Sequence, residues 1–264
     1  MMTGIPSLSL IDGNRIPTVG LGTYSLQGDA GADAVAAAIR AGYRLLDSAQ
    51  GYENEDAVAE GMRRSGVQRS EIVLTTKLPD DHHGYDETLA SFDRSVAALQ
   101  LDTVDLYLIH WPVPEQDRFV ESWRAMIRLR EEGRIRSIGV SNFSAEQVDR
   151  LERETGELPA VNQVELRIGL DQADLRAHHA AHGVVVESYS PLKHGSELAK
   201  DPVITRAAEA HGVQWNQVVL RWNLQLGTVV IPRSRDATRQ AANLDLFGFQ
   251  LDDDEMAAIS TLRY

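Results

Sequence analysis

Asp47 and Tyr52 lie in the stretch GYRLLDSAQGYENE, Gly42 to Glu55, which puts a carboxylate and a phenol between an apolar strand pattern and a helical one. A phenol ordinarily ionises near pH 10, about three units above neutrality, so it donates a proton readily only where a neighbour brings that value down. An ammonium does this, and a carboxylate beside the ammonium holds it charged and oriented. Lys77 and Asp47 are candidates for those two parts. His110 ends another apolar run, where an imidazole can orient and polarise an oxygen or serve as the acid itself. Ser141 with Asn142, Gln163, Tyr189, and Arg233 with Ser234 stand at the ends of further apolar runs. These types suit proton transfer in a pocket walled by amides and hydroxyls, with an anion site at one end.

The elements that must bring them together follow a regular alternation. LSLIDGNRIP, Leu8 to Pro17, predicts a β-hairpin about Asp12-Gly13-Asn14, where the chain needs residues tolerant of positive φ. After it, short apolar strands and amphipathic helices alternate every 25 to 35 residues or so, as βαβ units require. The predicted strands are Thr18 to Gly22, Tyr43 to Ser48, Ile72 to Lys77, Val104 to His110, Ile135 to Ser141, Ala160 to Glu165, Val184 to Ser190 and Thr228 to Ile231. Between the third and fourth, Tyr85, Leu89, Phe92, Val96 and Leu99 keep helical spacing and define one apolar face. Pro202 to His211 and Asp252 to Leu262 are helices beyond the eight units, and no linker divides the chain. The reading is α/β: a (β/α)8 TIM barrel over residues 1–264 as one domain, with an N-terminal hairpin and two extra helices. In such a barrel the carboxyl ends of all strands face one mouth, where the polar residues named above would form a ring.

Composition narrows the function classes. No apolar run approaches the 20 or so residues that cross a bilayer, and MMTGIPSLSL lacks the basic and apolar regions of a secretory signal. Cytoplasm is the expected compartment. With no cysteine, disulfides, thiolate catalysis and cysteine-ligated metal are excluded. A net charge of -13 disfavours nucleic acid or an anionic membrane as partner, so an anion site needs locally clustered cations. Arg233, Ser234, Arg235 and Arg239 form such a cluster after the eighth strand, where barrels often bind phosphate at a short helix.

Several segments closely resemble those of the aldo-keto reductase family, in the family's order. They are GYRLLDSAQGYENE, LTTK ending in Lys77, LIHWP with His110, IGVSNF with Ser141 and Asn142, VNQVE with Gln163, SYSPL with Tyr189, Ser190 and Leu192, and IPRS with Arg233 and Ser234. The resemblance covers nearly the whole chain and is nearest in character to the bacterial 2,5-diketogluconate and methylglyoxal reductases. It implies a monomer that reduces a small-molecule carbonyl with NADPH and uses no metal. Asp47, Tyr52, Lys77 and His110 would then be the catalytic tetrad. Ser141, Asn142 and Gln163 would bind the nicotinamide carboxamide, Tyr189 would stack on its ring, and Ser190 and Leu192 would touch the cofactor. Arg233, Ser234, Arg239 and Asn243 would hold the adenosine end. Gly22 and Thr23 of the first barrel loop would meet the cofactor, while Tyr24 and Trp111 would line the substrate pocket. Carbonyl reduction needs a hydride on one side and a proton on the other, which gives Tyr52 the donor's part.

Other signals count for less. Gly20 and Gly22 make a Gly-x-Gly with no third glycine at dinucleotide-fold spacing. His178, His179 and His182 share a helix, but a glutamate is missing where a zinc-protease motif needs it, and Trp222 reads as core. The chain departs from the family at Leu166-Arg167-Ile168, where a His-Pro pair is common, at Arg233, where lysine is usual, and in ending at Tyr264 without a longer tail over the pocket. A barrel that binds the cofactor as a redox sensor or regulatory subunit, with little turnover, is the alternative class.

Overall fold

The structure, a computed structural model, describes residues 4–264. The expectation about an N-terminal signal falls partly on residues 1–3, outside that range. Strands β1 (Ser7–Ser9) and β2 (Arg15–Pro17) pair antiparallel with Leu8 opposite Ile16. The turn between them uses Gly13 at φ +87°, and the Asp12 carboxylate accepts from the Asn14 amide at 3.0 Å. This hairpin plugs the amino end of the barrel. Leu10 and Ile16 pack there with Leu45, Leu106, Val161 and Val229, and Asn14 Nδ2 donates to Ser137 Oγ at 3.0 Å.

Eight parallel strands follow in sequence order: β3 (Leu21–Gly22), β4 (Leu45–Asp47), β5 (Val73–Leu78), β6 (Val104–Ile109), β7 (Ile135–Ser141), β8 (Val161–Glu165), β9 (Val185–Tyr189) and β10 (Val229–Val230). A parallel bridge from Val19 to Val230, with Gly20 N donating to Val230 O at 2.8 Å, joins the first to the last and closes the barrel. The first and last ladders are shorter than the predicted Thr18–Gly22 and Thr228–Ile231, because the seam is a single bridge. Gly139 in β7 permits the tight wall, since a Cβ there would sit 2.6 Å from Val161 O.

Helices Gly28–Ala41, Glu55–Ser65, Tyr85–Leu99, Phe119–Glu131, Ala145–Thr155, Ala173–His182, Trp215–Gln225 and Ala237–Leu244 surround the strands. Pro202–His211 and Asp253–Thr261 are the two extra helices expected, and a single turn at Gly195–Leu198 adds to them. Side-chain caps fix where they begin. Ser144 and Gln147 form a capping box, Asp252 and Glu255 another, and Asp201 accepts from Val203 N and Ile204 N. Phe92, Val96 and Leu99 of Tyr85–Leu99 are buried, with Phe92 edge-on to Tyr107 of β6 at 5.2 Å. Trp222 is fully buried, and its Nε1 donates to Ser260 Oγ at 3.0 Å. Among the described residues, no helix is long and apolar enough to cross a membrane.

Candidate active site

Two charged groups sit where the strands end. Asp47 is the last residue of β4 and Lys77 the fifth of the six in β5, and both are almost completely buried. Lys77 Nζ donates to Asp47 Oδ1 at 2.7 Å, to Ser48 O at 2.8 Å and to Tyr52 Oη at 3.3 Å, which uses all three ammonium hydrogens. Tyr52 closes the 3-10 turn Gln50–Tyr52, and two features aim it. Gln50 Nε2 donates to Ser91 O while Ser91 Oγ donates to Gln50 Oε1, and Gln27 Nε2 donates to Tyr52 O at 3.1 Å. Asn54, fully buried, donates to Thr23 O and Leu26 O and accepts from Ser48 Oγ, tying the loop after β3 to the loop after β4. His110 follows β6, with its ring 5.6 Å from that of Tyr52, and Tyr24 lies edge-on to Tyr52 at 5.2 Å. Strand register therefore gathers Asp47, Tyr52, Lys77 and His110 from 64 residues of chain, by their numbers.

Burial dominates the electrostatics. It pushes the Tyr52 phenol up; Lys77 pulls it down without overcoming burial, so the net direction is above the ordinary value. The expectation of a net lowering is thus corrected: a low-dielectric site disfavours the phenolate more than one shared ammonium favours it. Burial also works against charge on Lys77, but the adjacent Asp47 carboxylate and its hydrogen bond at 2.7 Å outweigh it, and the ammonium is held protonated. His110 is lowered to about 3, by burial first and the Lys77 charge second, so its imidazole is neutral at ordinary pH.

Lys77 is fully buried and bonded to Asp47 and Tyr52, while Asp47, Tyr52 and His110 line a cavity of about 710 Å³. Gly22, Tyr24, Trp111, Ser141, Asn142, Gln163, Tyr189, Ser190, Leu192 and Arg233, all singled out from sequence, line it. Asn142, at φ +63°, donates to His110 O and accepts from Tyr189 Oη at 2.9 Å, while Ser141 Oγ donates to Gln163 O at 2.9 Å. Tyr24 and Trp111 are 60% and 44% exposed, which leaves the mouth open on their side. Gly22 eases a close approach, since a Cβ there would stand 3.0 Å from Ile231 O.

Four predicted contacts lie off the cavity wall. Thr23 is buried, with Oγ1 donating to Asp47 O at 2.9 Å. Ser234 Oγ bonds Asp236 within its own turn. Arg239 N is capped by Asp236 Oδ1 at 2.9 Å, leaving its side chain exposed, and Asn243 is buried against Asn216. Ser234, Arg239 and Asn243 continue from Arg233 along the turn and helix after β10. Sequence reading also missed partners. Ser25, at φ +65°, accepts from Arg233 Nη1 at 2.8 Å and from Arg235 Nη2, linking the loops after the first and last barrel strands. Pro191 lines the cavity as well. Glu187 of β9 is fully buried and bonded to Gln163. Its signal was available: it precedes Tyr189 by two in a strand and so shares its face. Away from the cavity, Asp149 joins His178 and His182, with ligand atoms within 4.8 Å of one another and His178 Nε2 on Asp149 Oδ1 at 2.8 Å.

Comparison with known proteins gives one family. The model described as "Aldo/keto reductase family" matches residues 18–263. The chain is 50% identical over 257 residues to an aldo-keto reductase of Mycolicibacterium smegmatis, covering 97% of this chain and 93% of that one. It is 49% identical over 261 residues to 2,5-diketo-D-gluconic acid reductase B of a Corynebacterium, covering 99% and 94%. Among solved structures, a Gox0644 variant in complex with NADPH superimposes with a TM-score of 0.94 at 42% identity, covering 99% of this chain and 95% of that one.

Proposed function

This chain belongs to the aldo/keto reductase family, and from that premise we propose that it reduces aldehydes, ketones or dicarbonyls to alcohols with NADPH, Tyr52 giving the proton. The observation that carries the reading is the buried Asp47–Lys77 pair, with Lys77 Nζ 3.3 Å from the Oη of Tyr52, which lines an open cavity. The cavity suits an elongated ligand with an amide at one end and an anion at the other. Asn142, buried Gln163 and exposed Arg233 all line it. NADPH, when bound, supplies the hydride. Tyr52, kept neutral by burial, holds the proton that the reduced oxygen takes, and Lys77 stabilises the phenolate left behind. Asp47 keeps Lys77 charged and aimed. His110, neutral, donates an N–H to the substrate oxygen and polarises the carbonyl. NADPH in the relative's complex and the diketo acid in the other relative's name favour this cofactor and substrate class.

Mixing the protein with NADPH and a panel of aldehydes, ketoacids and diketones, and following cofactor absorbance, tests the reading. Cofactor binding without turnover across the panel would replace the enzyme with a redox-sensing barrel. Turnover is expected to be broad with weak KM values, because the exposed Tyr24 and Trp111 bury little substrate surface. One substrate exceeding its chemical neighbours by about 10⁴ would contradict that, since such ratios need a dedicated polar site. The enzyme is read as a monomer, to be measured by light scattering.

A further inference from the structure

Gln163 has its terminal nitrogen between two carboxyl groups. Nε2 donates to Asp47 Oδ1 at 2.8 Å and to Glu187 Oε2 at 2.7 Å. A primary amide has two N–H hydrogens, so both are taken inside the barrel. Gln163 lines the cavity, and its remaining polar atom, Oε1, is the one available to a ligand there. Turning the amide over would set that oxygen against Asp47 Oδ1, which already accepts from Lys77 Nζ at 2.7 Å, so that acceptor would face acceptor. Asp47 therefore decides which end faces inward, and Glu187, opposite Gln163 in the β8–β9 ladder, fixes the torsion about the last bond.

We propose that Glu187 is a positioning residue for the cofactor: with Asp47 it holds both Gln163 hydrogens and presents Gln163 Oε1 to the cavity as an acceptor for the nicotinamide amide N–H. The proposal rests on the NADPH reading above. Glu187 suits this part because it is fully buried, and its other oxygen, Oε1, has no partner. Burial, reinforced by the Asp47 charge, pushes its carboxyl up to about 8, so at pH 7 it is a neutral acid whose oxygen accepts. A mobile Gln163 would lose the preference for a ligand with an amide hydrogen at that point. Nothing in the four-residue chemistry of the site requires a second acid here.

The readout is discrimination between NADPH and its 3-acetylpyridine analogue, in which a methyl group replaces the amide NH2. Affinities are measured by tryptophan fluorescence on the full chain. Wild type should bind NADPH about tenfold more tightly than the analogue, the worth of one hydrogen bond. Glu187→Leu should bring the two within about twofold, by loosening Gln163. Glu187→Gln should restore the difference, since its amide oxygen can accept the same N–H. A Glu187→Leu protein that melts cooperatively and keeps the tenfold preference overturns the proposal, as does loss of the preference in Glu187→Gln. Should Glu187→Leu not fold, Glu187→Thr, which is strand-forming and too short to reach, replaces it with the same two outcomes. Wild type that binds no NADPH would remove the cofactor reading itself, and this proposal with it.

Discussion

At the Tyr52 hydroxyl two influences oppose each other: burial keeps the proton on, and Lys77 at 3.3 Å makes its loss tolerable. A group that must be protonated before transfer and stabilised after it gains from both. On the proposed mechanism Tyr52→Phe removes only the donor, so reduction should fall by about 10² to 10⁴ while NADPH should still bind. Steady-state rates at saturating cofactor check this, and a rate within threefold of wild type would shift the donor's role to His110 or an ordered water. Arg233 poses a different question. Its guanidinium is exposed and held by Ser25 Oγ, in the cavity lining where an acidic chain needs a cation to meet a phosphate. Its planar fork keeps the charge of the lysine usual in the family. Arg233→Ala should weaken NADPH by about 10- to 150-fold, the worth of a charge-assisted hydrogen bond, and NADH by only a few-fold. Titrating both cofactors decides it, since equal weakening would assign Arg233 to the shared pyrophosphate or to the fold.

Between elements, Asn54 ties loops together. Its side chain reaches Thr23, Leu26 and Ser48, so the loops carrying Tyr24 and Tyr52 are braced by one buried amide at the start of helix Glu55–Ser65. Asn54→Ala leaves the buried Thr23 and Leu26 carbonyls without that donor. It should cost about 1–3 kcal/mol in urea unfolding and raise substrate KM as Tyr24 loosens. Unchanged stability would mean that the loops have other anchors. Sequence spacing placed these loops, because a strand pattern followed by a helix pattern leaves only the residues between them. It did not assign Asn54 more than the start of a helix, since its partners come from two other loop positions.

For the whole molecule, buried titratable groups set opposite pH limits. His83 and His179 are each lowered to about 4, chiefly by burial, and His110 to about 3 by burial and Lys77. Imidazoles in the unfolded chain take protons near 6.5, so the stability these three sites confer is full above that pH and is lost as pH falls toward 4. Glu187 acts in reverse. The unfolded carboxyl ionises near 4.3 while the folded one, facing Asp47, Lys77 and Tyr52, stays protonated to about 8, so its cost to stability grows across that interval. Thermal melts from pH 4 to 8 should show the acid loss. The melting temperature of Glu187→Gln relative to wild type should rise between pH 5 and 8. A constant difference would mean that Glu187 is already ionised at pH 5.

Periodicity and strand-end chemistry suffice, without coordinates, for the barrel, its hairpin, the order of its strands and the ring of polar residues at one mouth. Strand and helix periods are local, and a parallel barrel sends every carboxyl end the same way. The tertiary structure alone decided what depends on register and on distant neighbours. Ser25 meets Arg233 across 208 residues of chain, and Glu187 meets Gln163 because β8 and β9 pair in one register out of several. The direction of the Tyr52 shift belongs to the same class. Lys77 could be read as a neighbour from its strand end, but burial sums over every atom packed around the phenol, and no local pattern encodes that sum.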